Sequence, residues 1–314
     1  MKVLVTGAAG FIGSHLVDRL LARGEEVVCI DNYLLGKKEH LEDALKNKRF
    51  KLHNFNLLEL DKLEAIFKKE NFDIVYHLAA NSDIRAGCNG IKIDLNNTFF
   101  TTFNVLSCMS KHDVKKIMFA SSSAIYGEMD LILSEDVGPL LPISNYGAAK
   151  LASEAYISSF CENYDMKAWI IRFPNVVGWR LTHGVIFDFL KKLHSDQSEL
   201  LVLGDGKQEK PYLYVTDLLE AIDLIVEKSK EKISIINVAA DSTTTVEFIA
   251  KTVINELQLK KVKIKYTGGK KGWIGDIPKF HYDTTKIAKL GWSPTFTSNE
   301  AIQASIKKEI HYNN

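Results

Sequence analysis

An α/β fold built on a doubly wound parallel sheet is predicted by three features of the chain. Short β-branched runs alternate with longer amphipathic stretches. Most of the short runs are apolar throughout rather than at every second residue. The first of them leads directly into a glycine-rich turn and a helix pattern. Continuous apolar runs suit strands covered on both faces, and strands separated by helices join through right-handed crossovers.

About seven strands are expected, in "KVLVT" (2–6), "EVVCID" (26–31), "FKLHNF" (50–55), "DIVYHLA" (73–79), "KIMFASS" (116–122), "AWIIRF" (168–173) and "SIINVA" (234–239). Helical patterns occupy 14–23, 60–70, 98–111 and 146–163. After about Pro174 the rhythm changes: helices are expected at 185–194 and 245–257, and 268–294 carries turn chemistry without a strand–helix repeat. This divides the chain into a larger sheet-based unit, 1–174 plus about 212–240, and a smaller α/β lobe, about 175–211 plus 241–314.

The 314 residues are 46% hydrophobic, enough for a large core, and the formal net charge is +1. Forty Lys and Arg against 39 Asp and Glu leave no global field to draw nucleic acid or a membrane surface. Four scattered cysteines form no CxxC pair or Cys/His cluster, so no metal site and no disulfide framework is expected. No signal-peptide pattern and no long apolar run is visible, and a cytoplasmic enzyme is the expectation.

"VTGAAGFIG" stands between the first strand and the first helix. Gly7 allows the tight turn, Gly10 lets a pyrophosphate approach the backbone, and Gly13 lets helix and strand pack closely. The helix N-terminus adds free N–H groups and partial positive charge. Asp31 ends the second strand, at roughly the 20-residue spacing where a carboxylate accepts the adenosine ribose hydroxyls and repels a 2′-phosphate. NAD is therefore the expected cofactor.

"SSSAIYG" (121–127) closes the fifth strand, and "SNYGAAK" (144–150) sets Tyr146 one helical turn before Lys150. Ligands bind beyond the carboxyl ends of strands in open parallel sheets, so Ser122 should face the cofactor cleft. A free phenol titrates near about 10 and is a poor base at neutral pH. An ammonium and a cationic nicotinamide beside it would favour phenolate. Tyr146 could then take a hydroxyl proton as hydride leaves the same carbon, with Ser122 orienting that oxygen. A non-catalytic dinucleotide-binding protein is the competing reading, and the intact Tyr/Lys pair disfavours it.

These motifs resemble the extended short-chain dehydrogenase/reductase family, in particular its nucleotide-sugar epimerases and dehydratases, with a Rossmann-type cofactor domain. The resemblance runs from "TGAAGFIGSHL" through "HLAAN" (77–81), "SSSAIYG", "YGAAK", "RFPNVVG" (172–178) and "GDGKQEKPYLYVTD" (204–217) to "LGWSP" (290–294). It implies a nucleoside diphosphate sugar as substrate. Tyr146, Lys150 and Ser122 would be catalytic. Gly7, Gly10, Phe11, Ile12, Gly13, Asp31, Asn32, Asn56, Leu57, Leu78, Ala79 and Ala80 would join Tyr146 and Lys150 in holding NAD. Asn81, Asp83, Arg85, Ser122 and Ser123 would lie near the sugar. Asn175, Gly184, Val185, Lys210 and Tyr212 would frame the nucleotide. Helices 98–111 and 146–163 resemble those that form a four-helix homodimer interface.

Departures from the family narrow the chemistry. Its dehydratases carry an acid directly after the catalytic Ser/Thr, where this chain has Ser123 and Ala124. Oxidation at the sugar 4-position remains, by a 4-epimerase or a 4-dehydrogenase, with a nucleotide-sugar 4,6-dehydratase as the alternative. Relatives carry Arg-Asp-Phe where this chain has Lys210-Pro211-Tyr212, and an Arg before Gly-Asp where it has Trp273. Lysine lacks the bidentate fork of arginine, so looser phosphate contacts are expected. The chain is compatible with a GDP-heptose 4-dehydrogenase of the kind found in bacterial surface polysaccharide synthesis.

Overall fold

Seven parallel strands form the central sheet of the computed structural model: β1 (Lys2–Thr6), β2 (Glu26–Asp31), β3 (Phe50–Asn54), β4 (Ile74–His77), β5 (Lys116–Ala120), β6 (Lys167–Arg172) and β7 (Ile233–Asn237). The structure describes residues 1–312 except 130, 131 and 274, and describes only the backbone of 86, 88, 89 and 91. The strand order is β7-β6-β5-β4-β1-β2-β3. The direction of winding therefore reverses between β1 and β4, which run in register from Val3 opposite Ile74 to Thr6 opposite His77. That reversal opens a crevice at the carboxyl ends of the strands.

Both faces of the sheet are covered, which is why the strands read as unbroken apolar runs. Val3, Val5 and Cys29 point to one side, into a core shared with α1 (Phe11–Ala22) and the later helix Val215–Lys228. Leu4, Val28 and Ile30 point to the other. There they meet α2 (Leu60–Lys69), α4 (Thr101–Lys111) and α5 (Asn145–Tyr164), with the short α3 (Ile84–Asn89) lying between α2 and α4 in the chain. Period-two alternation places neighbours on opposite faces, so a strand buried twice must be apolar at every position.

A third core forms around α6 (Val185–Ser195), α8 (Val246–Glu256) and α9 (Ser298–Tyr312), α7 being Val215–Lys228. Short pairs of strands stitch this part together: Asn175–Val177 beside Tyr212–Tyr214, and Glu199–Val202 beside Lys263–Tyr266, both parallel. The pairing of 175–177 with 212–214 ties the segment after β6 to the segment that leads back through α7 into β7.

Several expected boundaries move. The fourth strand ends at His77, and Leu78, Ala79 and Ala80 leave the sheet to line the crevice. The fifth ends at Ala120, and Ser122 becomes the extended cap of a 3₁₀ turn at Ser123–Tyr126, its Oγ accepting from the Ala124 N–H at 3.2 Å. The helix expected from 98 is preceded by a short helix, Ile91–Asp94, and a π-helical turn, Leu95–Phe100.

Candidate active site

A cleft of about 440 Å³ lies along the carboxyl ends of the strands. Its cofactor end begins at the Gly7–Gly13 loop. Gly7 adopts φ +73°, and a Cβ there would lie 2.7 Å from the Ala79 backbone nitrogen. A Cβ on Gly13 would run into the Gly7 carbonyl. The N-terminus of α1 has no side-chain cap and no acidic residue in its first turn, so its N–H groups stay available to an anion. Asp31 is buried, and its carboxylate is fixed by the Ala9 N–H at 2.9 Å and the Tyr33 N–H at 2.7 Å. Burial pushes this carboxyl above the usual value, against the backbone N–H groups of Tyr33, Ala9 and Asn32. The bare helix end, the crowded glycines and the fixed carboxylate fit a dinucleotide. Phe11, Ile12, Asn32, Asn56, Leu57, Leu78, Ala79 and Ala80 line the same end. Asn56 turns its Oδ1 to the Leu58 N–H at 3.0 Å.

The middle of the cleft holds Ser122, Tyr146 and Lys150. Ser144 caps α5 by accepting from the Gly147 N–H at 3.1 Å, which places Tyr146 in the first turn and Lys150 one turn on. The Ser122 hydroxyl stands by the Tyr146 phenol, where it favours the ionised form. Lys150 is 2% exposed and donates to the Ala120 carbonyl at 2.6 Å. Its ammonium sits 4.6 Å from the Phe119 ring centroid and 5.9 Å from that of Tyr146.

The electrostatics correct one expectation. Burial holds the Tyr146 phenol up at about 12, opposed by the Ser122 hydroxyl and reinforced by the charge of Asp94. Lys150 is itself drawn down to about 7 by burial, with Glu154 and Asp94 favouring its charged form. From the protein's own groups alone, the lysine therefore does not make the phenol acidic. Desolvation outweighs the ammonium, which is directed at the Ala120 carbonyl rather than at the phenol.

Behind Lys150 lies a buried network that sequence reasoning did not single out. Glu154, one turn further along α5, accepts from Arg172 Nε at 3.1 Å and Nη2 at 2.7 Å, and from the Ser121 hydroxyl. Arg172 Nη1 also donates to the Tyr126 hydroxyl at 3.0 Å, which donates to Asn237 Oδ1 at 2.8 Å. The i, i+4 spacing of Tyr146, Lys150 and Glu154 was the available signal.

The far end, expected to take the substrate, gathers Asp83, Arg85, Ser123, Asn175, Gly184, Val185, Lys210 and Tyr212 along the cleft. Arg85 reaches across to Asp188 on α6 at 2.8 Å. Lys210 pairs with Asp276 at 2.5 Å and lies 5.2 Å from the Trp273 ring, whose other cationic neighbour is Arg85 at 5.9 Å. Asn81 departs from expectation. It is 2% exposed and sits behind the wall rather than in it. Its Nδ2 donates to the Asp83 carbonyl at 3.0 Å and Asp94 Oδ1 at 2.8 Å, and its Oδ1 accepts from the Asp83 N–H.

Other tempting residues are structural. His77 is fully buried between the Thr6 and Thr102 hydroxyls, which lie 2.7 and 3.0 Å from its ring nitrogens, and burial lowers it to about 3. Trp292 is buried and donates to the Asp217 carbonyl at 3.2 Å. Cys29, Cys108 and Cys161 are buried free thiols, while the Cys88 side chain lies outside the described residues. Among the described residues no helix is long and apolar enough to cross a membrane.

Comparison with known proteins agrees with this geometry. The model of the NAD dependent epimerase/dehydratase family matches residues 3–239. A protein of Methanocaldococcus jannaschii named as a candidate UDP-glucose 4-epimerase is 31% identical over 306 residues, 96% of each chain. A solved UDP-galactose 4-epimerase superposes with a TM-score of 0.88 at 36% identity, covering 100% of this chain and 99% of the other. The UDP-glucuronic acid 4-epimerase of Bacillus cereus, solved with UDP-glucuronic acid and NAD, superposes with a TM-score of 0.89 at 27% identity over the whole of both chains. This chain belongs to the NAD-dependent epimerase/dehydratase family, enzymes that act on nucleotide sugars with NAD.

Proposed function

We propose that the protein oxidises the 4-position of a nucleoside diphosphate sugar. It acts as a 4-epimerase, or as a 4-dehydrogenase where the 4-keto sugar leaves before hydride returns. The observation that supports this reading is the meeting of Ser122, Tyr146 and Lys150 where the dinucleotide end of the cleft passes into the end lined by Arg85 and Lys210. The two residues after Ser122 are Ser123 and Ala124, so no carboxylic acid stands there to expel a neighbouring hydroxyl.

Tyr146 takes the proton of the sugar 4-hydroxyl, and Ser122 hydrogen-bonds the same oxygen and orients it. When bound, NAD would supply the hydride acceptor for that carbon and a cationic ring whose charge favours ionisation of a phenol held up at about 12. Lys150 holds its ammonium at the Ala120 carbonyl, behind the phenol. Asp31 and the Gly10–Gly13 backbone would hold the dinucleotide. Asn175, Lys210 and the start of α6 face the diphosphate and base.

We further propose 1–174 with 212–240 as the cofactor unit and 175–211 with 241–314 as the nucleotide-sugar lobe, working in the cytoplasm on a sugar for surface polysaccharide, GDP-heptose among the candidates. A homodimer would bury the aromatic face where Phe99 and Phe103 of the helices before α5 meet Tyr156 and Phe160. Phe103 and Tyr156 are 36% and 43% exposed, so Phe103→Glu should turn a dimer into a monomer in sedimentation. Incubation with UDP-, GDP-, dTDP- and CDP-sugars tests the reaction. A keto product is lighter by two hydrogens in mass spectrometry, and an epimer keeps its mass and shows in NMR. Turnover of none of these sugars by the NAD-loaded protein would reject the reading.

A further inference from the structure

Asp94 ends the short helix Ile91–Asp94 and is 1% exposed. It lies outside the cleft lining, and none of the motifs quoted above contains it. One carboxylate oxygen, Oδ1, accepts from Asn81 Nδ2 at 2.8 Å. The other, Oδ2, is buried and has no hydrogen-bond partner among the described residues. It lies against the α-carbon of Gly87, where any Cβ would collide with it. A buried carboxylate oxygen left unpaired carries a desolvation cost, and such groups tend to mark a constraint other than stability.

Both contacts lead to working parts of the cleft. Asn81 also grips the Asp83 carbonyl and N–H, so it folds the start of the segment that carries Asp83 and Arg85. Gly87, on α3, accepts through its carbonyl from Asn145 Nδ2 at 3.1 Å, and Asn145 directly precedes Tyr146. One side chain thus touches both ends of the 81–87 segment, and that segment touches the first residue of α5.

We propose that Asp94 is a positioning residue. It docks the 81–87 segment, with Arg85, onto the start of α5, through Asn81 on one oxygen and Gly87 on the other, and so sets where Tyr146 stands. The charge of Asp94 reaches the same place, because it opposes ionisation of Tyr146 and favours the ammonium of Lys150. The other groups facing this pair are Ser122 at the cap of the turn after β5, Glu154 on α5, His77 on β4, Asp83 beside Asp94, and Arg172 on β6, paired with Glu154.

The inference rests on reading Tyr146 as the acid–base group, but its tests need no sugar. In the first, thermal unfolding of the NAD-loaded protein is followed for Gly87→Ala, Asp94→Ala and the double variant. Gly87→Ala alone should lower Tm by roughly 5 °C, since its methyl group must displace the carboxylate. In the Asp94→Ala background the same change should have little effect. In the second, tyrosinate absorbance is titrated in wild type and Asp94→Asn, each minus its Tyr146→Phe counterpart, which isolates residue 146. Its midpoint should move to lower pH in Asp94→Asn, because a neighbouring negative charge is gone. Equal cost of Gly87→Ala in both backgrounds, or an unmoved midpoint, overturns the proposal. Failure to turn over any nucleotide sugar would remove the functional reading and leave both results interpretable.

Discussion

Glu154→Gln isolates the charge behind Lys150 while nearly preserving shape. Glu154 and Arg172 are 5% and 4% exposed and joined by two hydrogen bonds. Loss of one charge leaves the guanidinium buried without its counter-ion, which costs about 3–5 kcal/mol. The glutamine oxygen still accepts one bond, so the lower end, about 3 kcal/mol, is expected. For a chain of this length that corresponds to a fall in Tm of roughly 6 °C. A second readout separates packing from electrostatics. Glu154 is the largest charge contribution favouring the ammonium of Lys150, which burial holds near about 7. Without it the lysine discharges at lower pH, so any rate limb that needs the ammonium must shift toward acid. Thermal unfolding and a pH–rate profile on an established substrate measure both. A Tm within about 1 °C of wild type, together with an unmoved limb, would refute the reasoning.

Tyr146→Phe should lower kcat roughly 100-fold or more with NAD content unchanged, measured by single-turnover hydride transfer and by cofactor absorbance after denaturation. Gly13→Ala should yield protein with little bound NAD, because a methyl group there meets the Gly7 carbonyl; normal NAD content would show that the loop yields. Lys150 titrates near about 7 in the fold and near 10.5 in its ordinary state. Between these values the unfolded chain binds the extra proton, so this residue makes stability rise with pH across that window. Tm against pH for wild type minus Lys150→Met should show that rise, and a flat difference between pH 7 and 10 would contradict it.

The sheet was legible because burial on both faces leaves a direct mark on composition: Val3, Leu4 and Val5 cannot alternate with polar residues when successive side chains enter different cores. The glycine loop and the Tyr146/Lys150 spacing were legible because each is a local backbone constraint. What stayed hidden depends on distant partners. Nothing near Arg172 in the chain announces Glu154, and nothing near Asn175–Val177 announces Tyr212–Tyr214. Asn81 sits in a motif adjoining the cleft, yet its amide is consumed by Asp83 and Asp94. The burial of Tyr146 was hidden for the same reason: spacing shows that an ammonium is close, whereas desolvation depends on everything packed around the phenol.

The bridge from Arg85 to Asp188 spans the cleft from α3 to α6, and Lys210 is likewise engaged by Asp276. A diphosphate docking there would meet cations that already have counter-ions. Binding becomes an exchange, in which each new phosphate contact releases a carboxylate, rather than the filling of an open positive socket. Affinity governed by exchange should respond only weakly to ionic strength, and it should favour ligands whose geometry outcompetes a carboxylate over those that are merely more highly charged.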